Sequence, residues 1–189
     1  MATVEGITKI KKNNLISLSE QQLLDCDLAG FDMACQGGTL SGAFNYIWRA
    51  RGLKSEAKYP YRAVHGACKA ERKAPRVSQI RGYEYVPSCD ENALLKAVAH
   101  QPVAVAISGR GSHFQFYAGG ILSGPCETKL NHAVTVVGYG ESRRGEKFWI
   151  VKNSWGANWG EKGFMRIQRG VEAKEGMCGL ALSAAFPVV

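Results

Sequence analysis

The sequence predicts an α+β chain, helices first and strands after. Two observations carry that expectation. Apolar residues recur at helical spacing through the first fifty positions. From about residue 80, short β-type runs take over, separated by Gly119, Gly120, Gly138, Gly140, Gly145, Gly156, Gly160 and Gly163. With 189 residues, 46% hydrophobic and 21% charged, the composition is that of a globular chain and argues against disorder.

Taken in order, Val4, Ile7 and Ile10 fall on one face of a short first helix. Ser17 and Glu20 stand at capping-box spacing and predict the next helix start, with Leu23 and Leu24 as its apolar face up to Cys26. Leu40, Phe44, Ile47 and Trp48 mark an amphipathic helix from Leu40 to Arg51, stopped by Gly52. A loop rich in Tyr, Pro and Lys follows, from Tyr59 to Pro75. Ile80 to Val86 alternates loosely as a strand, and Asp90 to Ala99 reads as a helix burying Leu94, Leu95 and Val98. Strand-like runs follow at Val103–Ile107, Ala133–Val137, Phe148–Lys152 and Phe164–Gln168. The boundary between the two halves is expected near Tyr83–Tyr85, without a flexible linker and without internal repeats.

Lys and Arg number 24 against 16 Asp and Glu, a formal net charge of +8. The basic residues lie in short scattered groups (Lys9, Lys11 and Lys12; Arg72 and Lys73; Arg143 and Arg144), neither interleaved with aromatics nor lining one helix, so no nucleic-acid partner is expected. No apolar run approaches the ~18 residues of a membrane span, so no membrane partner is expected either. Six cysteines contain no Cys-x-x-Cys pair and no zinc-type Cys/His spacing, so neither a metal nor another cofactor is expected. Disulfides account for them better and imply an oxidising compartment. Met1 to Glu5 lacks the basic start and apolar stretch of a signal peptide, and no N-x-[ST] acceptor occurs.

His132 precedes an apolar run, and Asn153 follows 21 positions later within Lys152-Asn153-Ser154-Trp155-Gly156. A lone histidine beside an apolar run is most often a packed or surface residue. The surroundings alter that reading. Asn131-His132-Ala133-Val134-Thr135-Val136-Val137-Gly138-Tyr139-Gly140 and Trp149-Ile150-Val151-Lys152-Asn153-Ser154-Trp155-Gly156 resemble the histidine and asparagine blocks of the papain family of cysteine peptidases. The likeness extends through Val4-Glu5-Gly6, Ser19 to Cys26, Cys35-Gln36-Gly37-Gly38, Tyr59-Pro60-Tyr61, Gln101-Pro102-Val103, Gly119-Gly120-Ile121 and Cys178-Gly179-Leu180, and the wording looks closest to plant members.

The resemblance implies a two-lobe fold: a mostly helical lobe over residues 1–84 and a β-barrel-like lobe over 85–189 that carries the catalytic His and Asn. It assigns His132 as acid/base and Asn153 as the residue orienting the imidazole, with Trp155 covering their hydrogen bond. A thiol with a free pKa of ~8.5 becomes a ready thiolate beside an imidazolium; it attacks the peptide carbonyl, and the histidine protonates the leaving amine. Gly37 and Gly38 resemble the strand that pairs with substrate backbone. Leu40, Ala106, Ala133 and Ser183 match the main specificity pocket, which implies an apolar substrate side chain next but one to the cut. Asn131 precedes the histidine, where the family carries Asp or Asn.

The same resemblance pairs Cys26 with Cys68 and Cys126 with Cys178, closing loops of 68 − 26 = 42 and 178 − 126 = 52 residues, each worth roughly 4 kcal/mol in the chain-entropy model. It leaves Cys35 unpaired and gives Cys89 no counterpart. The family nucleophile belongs to a Cys-Gly-Ser-Cys-Trp block that this sequence does not contain. By the family pattern it falls before Met1, with the oxyanion-hole glutamine further upstream. The expectation is an N-terminally truncated chain that lacks the first half of the central helix and is inactive alone. The resemblance further implies a monomer, acting on peptide or protein substrates as an endopeptidase, bound by cystatin-type inhibitors, in the vacuole or lysosome or outside the cell. The alternative is a non-catalytic fragment that binds peptides or inhibitors.

Overall fold

Three helix starts in this chain are set by side-chain oxygens that accept from the first free backbone N–H groups. Ser19, Thr39 and Asp90 do so for three successive helices, at 2.9, 3.0 and 2.8 Å. The computed structural model describes residues 1–27, 34–70 and 76–189. Of the sequence expectations, Arg72, Lys73 and the end of the loop to Pro75 lie outside the described residues. Two compact units emerge: Met1–Glu84 with Pro187–Val189, and Tyr85–Phe186.

In the first unit, helix α1 (Ala2–Lys12) buries Val4 and Ile7 but leaves Ile10 55% exposed, against expectation. Ile10 sits in the last turn among Lys9, Lys11 and Lys12, and the inner position goes to Thr8. The Thr8 hydroxyl is 2.6 Å from the Ser78 hydroxyl, a buried polar pair that apolar spacing does not reveal. Helix α2 (Glu20–Cys26) is capped by Ser19, not Ser17. The Ser17 carbonyl accepts from Glu56 N–H at 2.8 Å and Leu18 bridges to Ser55, which keeps that stretch extended. Ser19 Oγ accepts from Gln22 N–H and donates to the Tyr59 carbonyl at 2.5 Å. Ser19→Ala removes both bonds and is expected to cost about 1–2 kcal/mol, read as a lowered denaturation midpoint with unchanged slope.

The buried face of α2 is also not the expected one. Gln21, Gln22 and Asp25 are inside, whereas Leu23 and Leu24 are half-buried. Each inner polar group is matched. Gln21 accepts from Arg62 N–H and donates to Asp25, and Gln22 accepts from Lys54 N–H and donates to the Tyr46 hydroxyl. Polar groups that keep their hydrogen bonds can be buried with little penalty. Cys26, at the end of α2, is bonded to Cys68.

Helix α3 (Leu40–Arg49) buries Phe44 and Ile47, while Trp48 is 48% exposed on the flank of that face. The helix ends before Gly52, whose role is different. A Cβ there would lie 2.1 Å from the Ser78 carbonyl oxygen, and its φ of 106° is left-handed, so only glycine fits. Strand β1 (Gly82–Tyr85) is shorter than the expected Ile80–Val86.

In the second unit, helix α4 (Glu91–Val98) lays Leu94 and Val98 into the core, with Leu95 half-buried. Strands β2 (Val103–Ile107), β4 (His132–Glu141), β5 (Lys147–Lys152) and β6 (Phe164–Gln168) cover the four expected runs, β4 being longer. Alternation on β2 is regular: Val103, Val105 and Ile107 are buried, Ala104 and Ala106 less so. The remaining elements gave little sequence signal. Helix α5 (Ser112–Gln115) has one turn, strand β3 (Ile121–Leu122) two residues, and β7 (Ser183–Val188) begins Ser-Ala-Ala, too uniform to alternate. The strands lie in the order β7-β2-β4-β5-β6-β3, antiparallel except for β3 beside β6. Trp149 and Ile167, fully buried, centre the core, and Trp149 Nε1 donates to Glu91 at 2.8 Å, tying α4 to β5. Cys126 and Cys178 form the second disulfide. Among the described residues no helix is long and apolar enough to cross a membrane, and no His/Cys/Asp/Glu group could hold a metal ion.

Candidate active site

His132 opens β4, and Asn153 lies just past the end of β5, its antiparallel neighbour. The sheet thus brings residues 21 positions apart to one end of the β4–β5 pair. His132 Nε2 and Asn153 Oδ1 are 2.8 Å apart. Asn153 is 5% exposed, and its backbone N–H donates to the Gly163 carbonyl at 2.9 Å. Its Oδ1 also accepts from Ser154 N–H at 2.8 Å. An oxygen accepting a backbone N–H is the acceptor end of the amide, so Nε2 of the imidazole must be the donor. Nδ1 is left as the ring nitrogen with which His132 can give or take a proton.

Aromatic rings fix the plane of the imidazole. Trp155 stacks on His132 with centroids 4.9 Å apart and 30° between planes, while remaining 41% exposed. Part of the indole therefore lies on the imidazole while part of it faces solvent. Phe114, buried on α5, meets His132 edge-on at 6.0 Å and Trp155 at 5.4 Å. Trp159 packs against Phe114 and Trp155 at 5.5 and 5.3 Å and donates from Nε1 to the Gln115 carbonyl at 2.9 Å, anchoring α5. Gly109 closes the remaining side. A Cβ on it would stand 2.9 Å from His132 Cβ, so its backbone lies directly against the histidine.

The other candidates fall into separate groups. Ala106 pairs with Ala133 on one side and with Ser183 on the other, so these three small residues form one row across β4, β2 and β7. Asn131 accepts from Gly109 N–H through Oδ1 at 3.0 Å and donates from Nδ2 to the Lys129 carbonyl at 2.9 Å, clamping the loop after β2 to the start of β4. Gly37, Gly38 and Leu40 belong to the first unit, where Gly37 (φ 110°) follows the short helix Ala34–Gln36 and Leu40 opens α3. Cys35 and Cys89 are free and exposed thiols. Among the described residues, the hydrogen bonds and ring contacts of His132 go to Asn153, Trp155 and Phe114. Sequence reasoning did not single out Phe114 or Gly109: one apolar residue in a polar turn, and one glycine among 22, carry no periodic signal.

A histidine with one ring nitrogen engaged by a buried asparagine and the other available can hand a proton to, or take one from, a neighbouring group. The model of the papain family cysteine proteases matches residues 1–188. The chain is 53% identical over 189 residues to the senescence-specific cysteine protease SAG12 of Arabidopsis thaliana and 52% identical over the same length to vignain of Ricinus communis. It covers 54% and 52% of those two proteins, and so spans about half the length of the curated relatives it matches. Its structure superposes on bromelain protease from Ananas comosus in complex with the E64 inhibitor, with a TM-score of 0.94 and 46% identity, covering 100% of this chain and 85% of that one. For the Carica candamarcensis protease CMS1MS2 in complex with E-64 the TM-score is 0.90 at 41% identity, covering 98% and 84%. The chain belongs to the papain family of cysteine proteases, is similar to its plant members, and has the papain-like α+β fold.

Proposed function

We propose that these residues form the acid/base half of a papain-type cysteine endopeptidase. The observation that carries this is the His132–Asn153 bond beneath Trp155. In the proposed reaction a cysteine thiolate adds to the peptide carbonyl. His132 passes its Nδ1 proton to the leaving amine as the C–N bond breaks, then takes a proton from the water that hydrolyses the thioester. Asn153 holds the ring so that Nδ1 faces the reacting atoms. The row Ala106, Ala133 and Ser183 receives an apolar side chain next but one to the cut, and Asn131 steadies the histidine loop; in the first unit, Gly37 and Gly38 pair with substrate backbone and Leu40 contributes apolar surface.

The nucleophile is the missing party. Cys26, Cys68, Cys126 and Cys178 are held in disulfides, and the family pattern assigns neither of the free thiols, Cys35 and Cys89, as the nucleophile. The 189 residues alone are therefore expected to be inactive. The test is hydrolysis of a fluorogenic dipeptide substrate with an apolar residue at the second position before the cut. No turnover above background is expected; turnover blocked by an epoxide thiol inhibitor would overturn the thiol assignment.

A second reading rests on the same accounting of thiols. A chain that presents the pocket row without a nucleophile can bind peptides or cystatin-type inhibitors without cutting them. Tight cystatin binding with no turnover supports it, and no binding ends it. The protein is proposed to act as a monomer in the vacuole, in the lysosome or outside the cell, a reading supported by its disulfides.

A further inference from the structure

A group that protonates the leaving amine must stand on the leaving-group side of the cut bond. Whatever surrounds His132 on that side also meets the substrate segment beyond the cut. In this chain the segments around it are mainly basic. Arg110 directly follows Gly109, whose backbone lies against His132 Cβ, so its Cα is ~3.8 Å along the chain from a residue touching the histidine. The loop that presents Arg110 is fixed at both ends: Gly109 N–H donates to Asn131 Oδ1, and Gln115 Nε2 donates to the Arg110 carbonyl, each at 3.0 Å. Arg110 is exposed, and among the described residues its guanidinium has no ion pair or hydrogen bond.

Carboxylates are sparse along the neighbouring segments, where Glu127, two residues before Lys129, stands alone. No Asp or Glu occurs between Glu91 and Glu127, nor between Glu127 and Glu141, nor between Glu146 and Glu161. Glu161 is itself paired with Arg166. Across the same end of the sheet, Lys129 is exposed two residues before Asn131, and Lys152 is exposed beside Asn153. Asn131, which clamps the Arg110 loop, brings no charge of its own.

We propose that Arg110 is a specificity determinant on the leaving-group side of His132, favouring substrates with an Asp or Glu side chain immediately beyond the cut bond. This rests on the proposed proton-transfer role of His132. The attraction is that of one exposed charge pair, a modest preference rather than an absolute requirement, and salt weakens it.

The test needs no turnover. The chain is titrated with Ac-Leu-Gly-Xaa-Ala-amide peptides, Xaa being Glu, Gln or Lys, and the His132 imidazole and Arg110 side chain are followed by heteronuclear NMR. The Glu peptide is expected to bind about fivefold more tightly than the Lys peptide at low salt. The two should converge near 1 M salt, where the Debye length is about 3 Å. Arg110→Glu should reverse the order. Equal affinities for the three peptides, each shifting His132, would overturn the Arg110 assignment while leaving the His132 site intact. Failure of all three to perturb His132 would overturn both this assignment and the site it rests on. An order unchanged in Arg110→Glu would place the preference elsewhere and overturn the assignment as well.

Discussion

Replacing Asp25 with alanine is expected to destabilise the first unit by about 3–5 kcal/mol, the range for removing one partner of a buried ionic network. The side chain of Asp25 is completely buried and sits at a junction of four donors. Oδ1 accepts from Gln21 Nε2 at 2.7 Å and from Gly66 N–H at 2.8 Å. Oδ2 accepts from the Tyr59 hydroxyl at 2.8 Å and from Arg62 at 3.0 Å. Alanine strands all of them. Arg62 is 45% exposed and can turn to water, so the larger share of the loss comes from Gln21, Tyr59 and Gly66. The melting temperature should fall by about 10 °C, followed by circular dichroism.

The same junction has a pH signature. Burial alone would push the Asp25 carboxyl up. The Gly66 N–H, the Tyr59 hydroxyl, the Gln21 amide and the Arg62 charge outweigh it and hold the group below the usual carboxylate range. The unfolded carboxyl then takes up a proton first as pH falls, so the unfolded state binds more protons over that interval and stability rises with pH there. The stabilisation is fully present above the ordinary carboxylate pKa of ~3.9 and is lost as pH drops through the lowered folded value. Asp25→Asn should remove this part of the acid slope. A wild-type melt that does not change between pH 6 and pH 3, or an Asp25→Ala melt matching wild type at pH 6, would show that water reaches the junction and takes over its bonds.

Asp25 also shows where the sequence stopped being legible. Apolar spacing located α2 but assigned its buried face to Leu23 and Leu24, because the pattern counts hydrophobicity and cannot see that Gln21, Gln22 and Asp25 each find partners 24 to 43 residues away. The Thr8–Ser78 pair misleads in the same way over 70 residues and displaces Ile10. On the β side, periodicity suffices where one face is dry and large, as on β2 and β5, and fails on β7, whose first residues are small. At the site, His132, Asn153 and Trp155 were legible because their blocks match a family. Phe114, Gly109 and Arg110 were not, since each acts through what the fold sets beside it. The Ala106, Ala133 and Ser183 row follows from register, which a single strand read by itself does not contain.

If a separately made segment bearing a Cys-Trp pair is co-expressed with this chain, thiol-dependent cleavage of an apolar dipeptide substrate is expected to appear, and it should depend on His132 far more than on Asn153. His132→Ala removes the group proposed to move the proton and should lower kcat about 10^4-fold. Asn153→Ala leaves the imidazole in place, stacked on Trp155 and edge-on to Phe114, but frees its rotation about the ring plane. Misplacement of that kind costs about 10^2-fold, with KM little changed because neither residue belongs to the proposed pocket row. The comparison also separates the two readings of the chain. A peptidase half-site gives cleavage that collapses in the order His132→Ala, Asn153→Ala, wild type. A binding fragment gives no cleavage with any partner segment, while both variants keep their affinity for a peptide seated on Ala106, Ala133 and Ser183. Equal activity in wild type and His132→Ala would break the link between this geometry and the chemistry assigned to it, whatever the family resemblance.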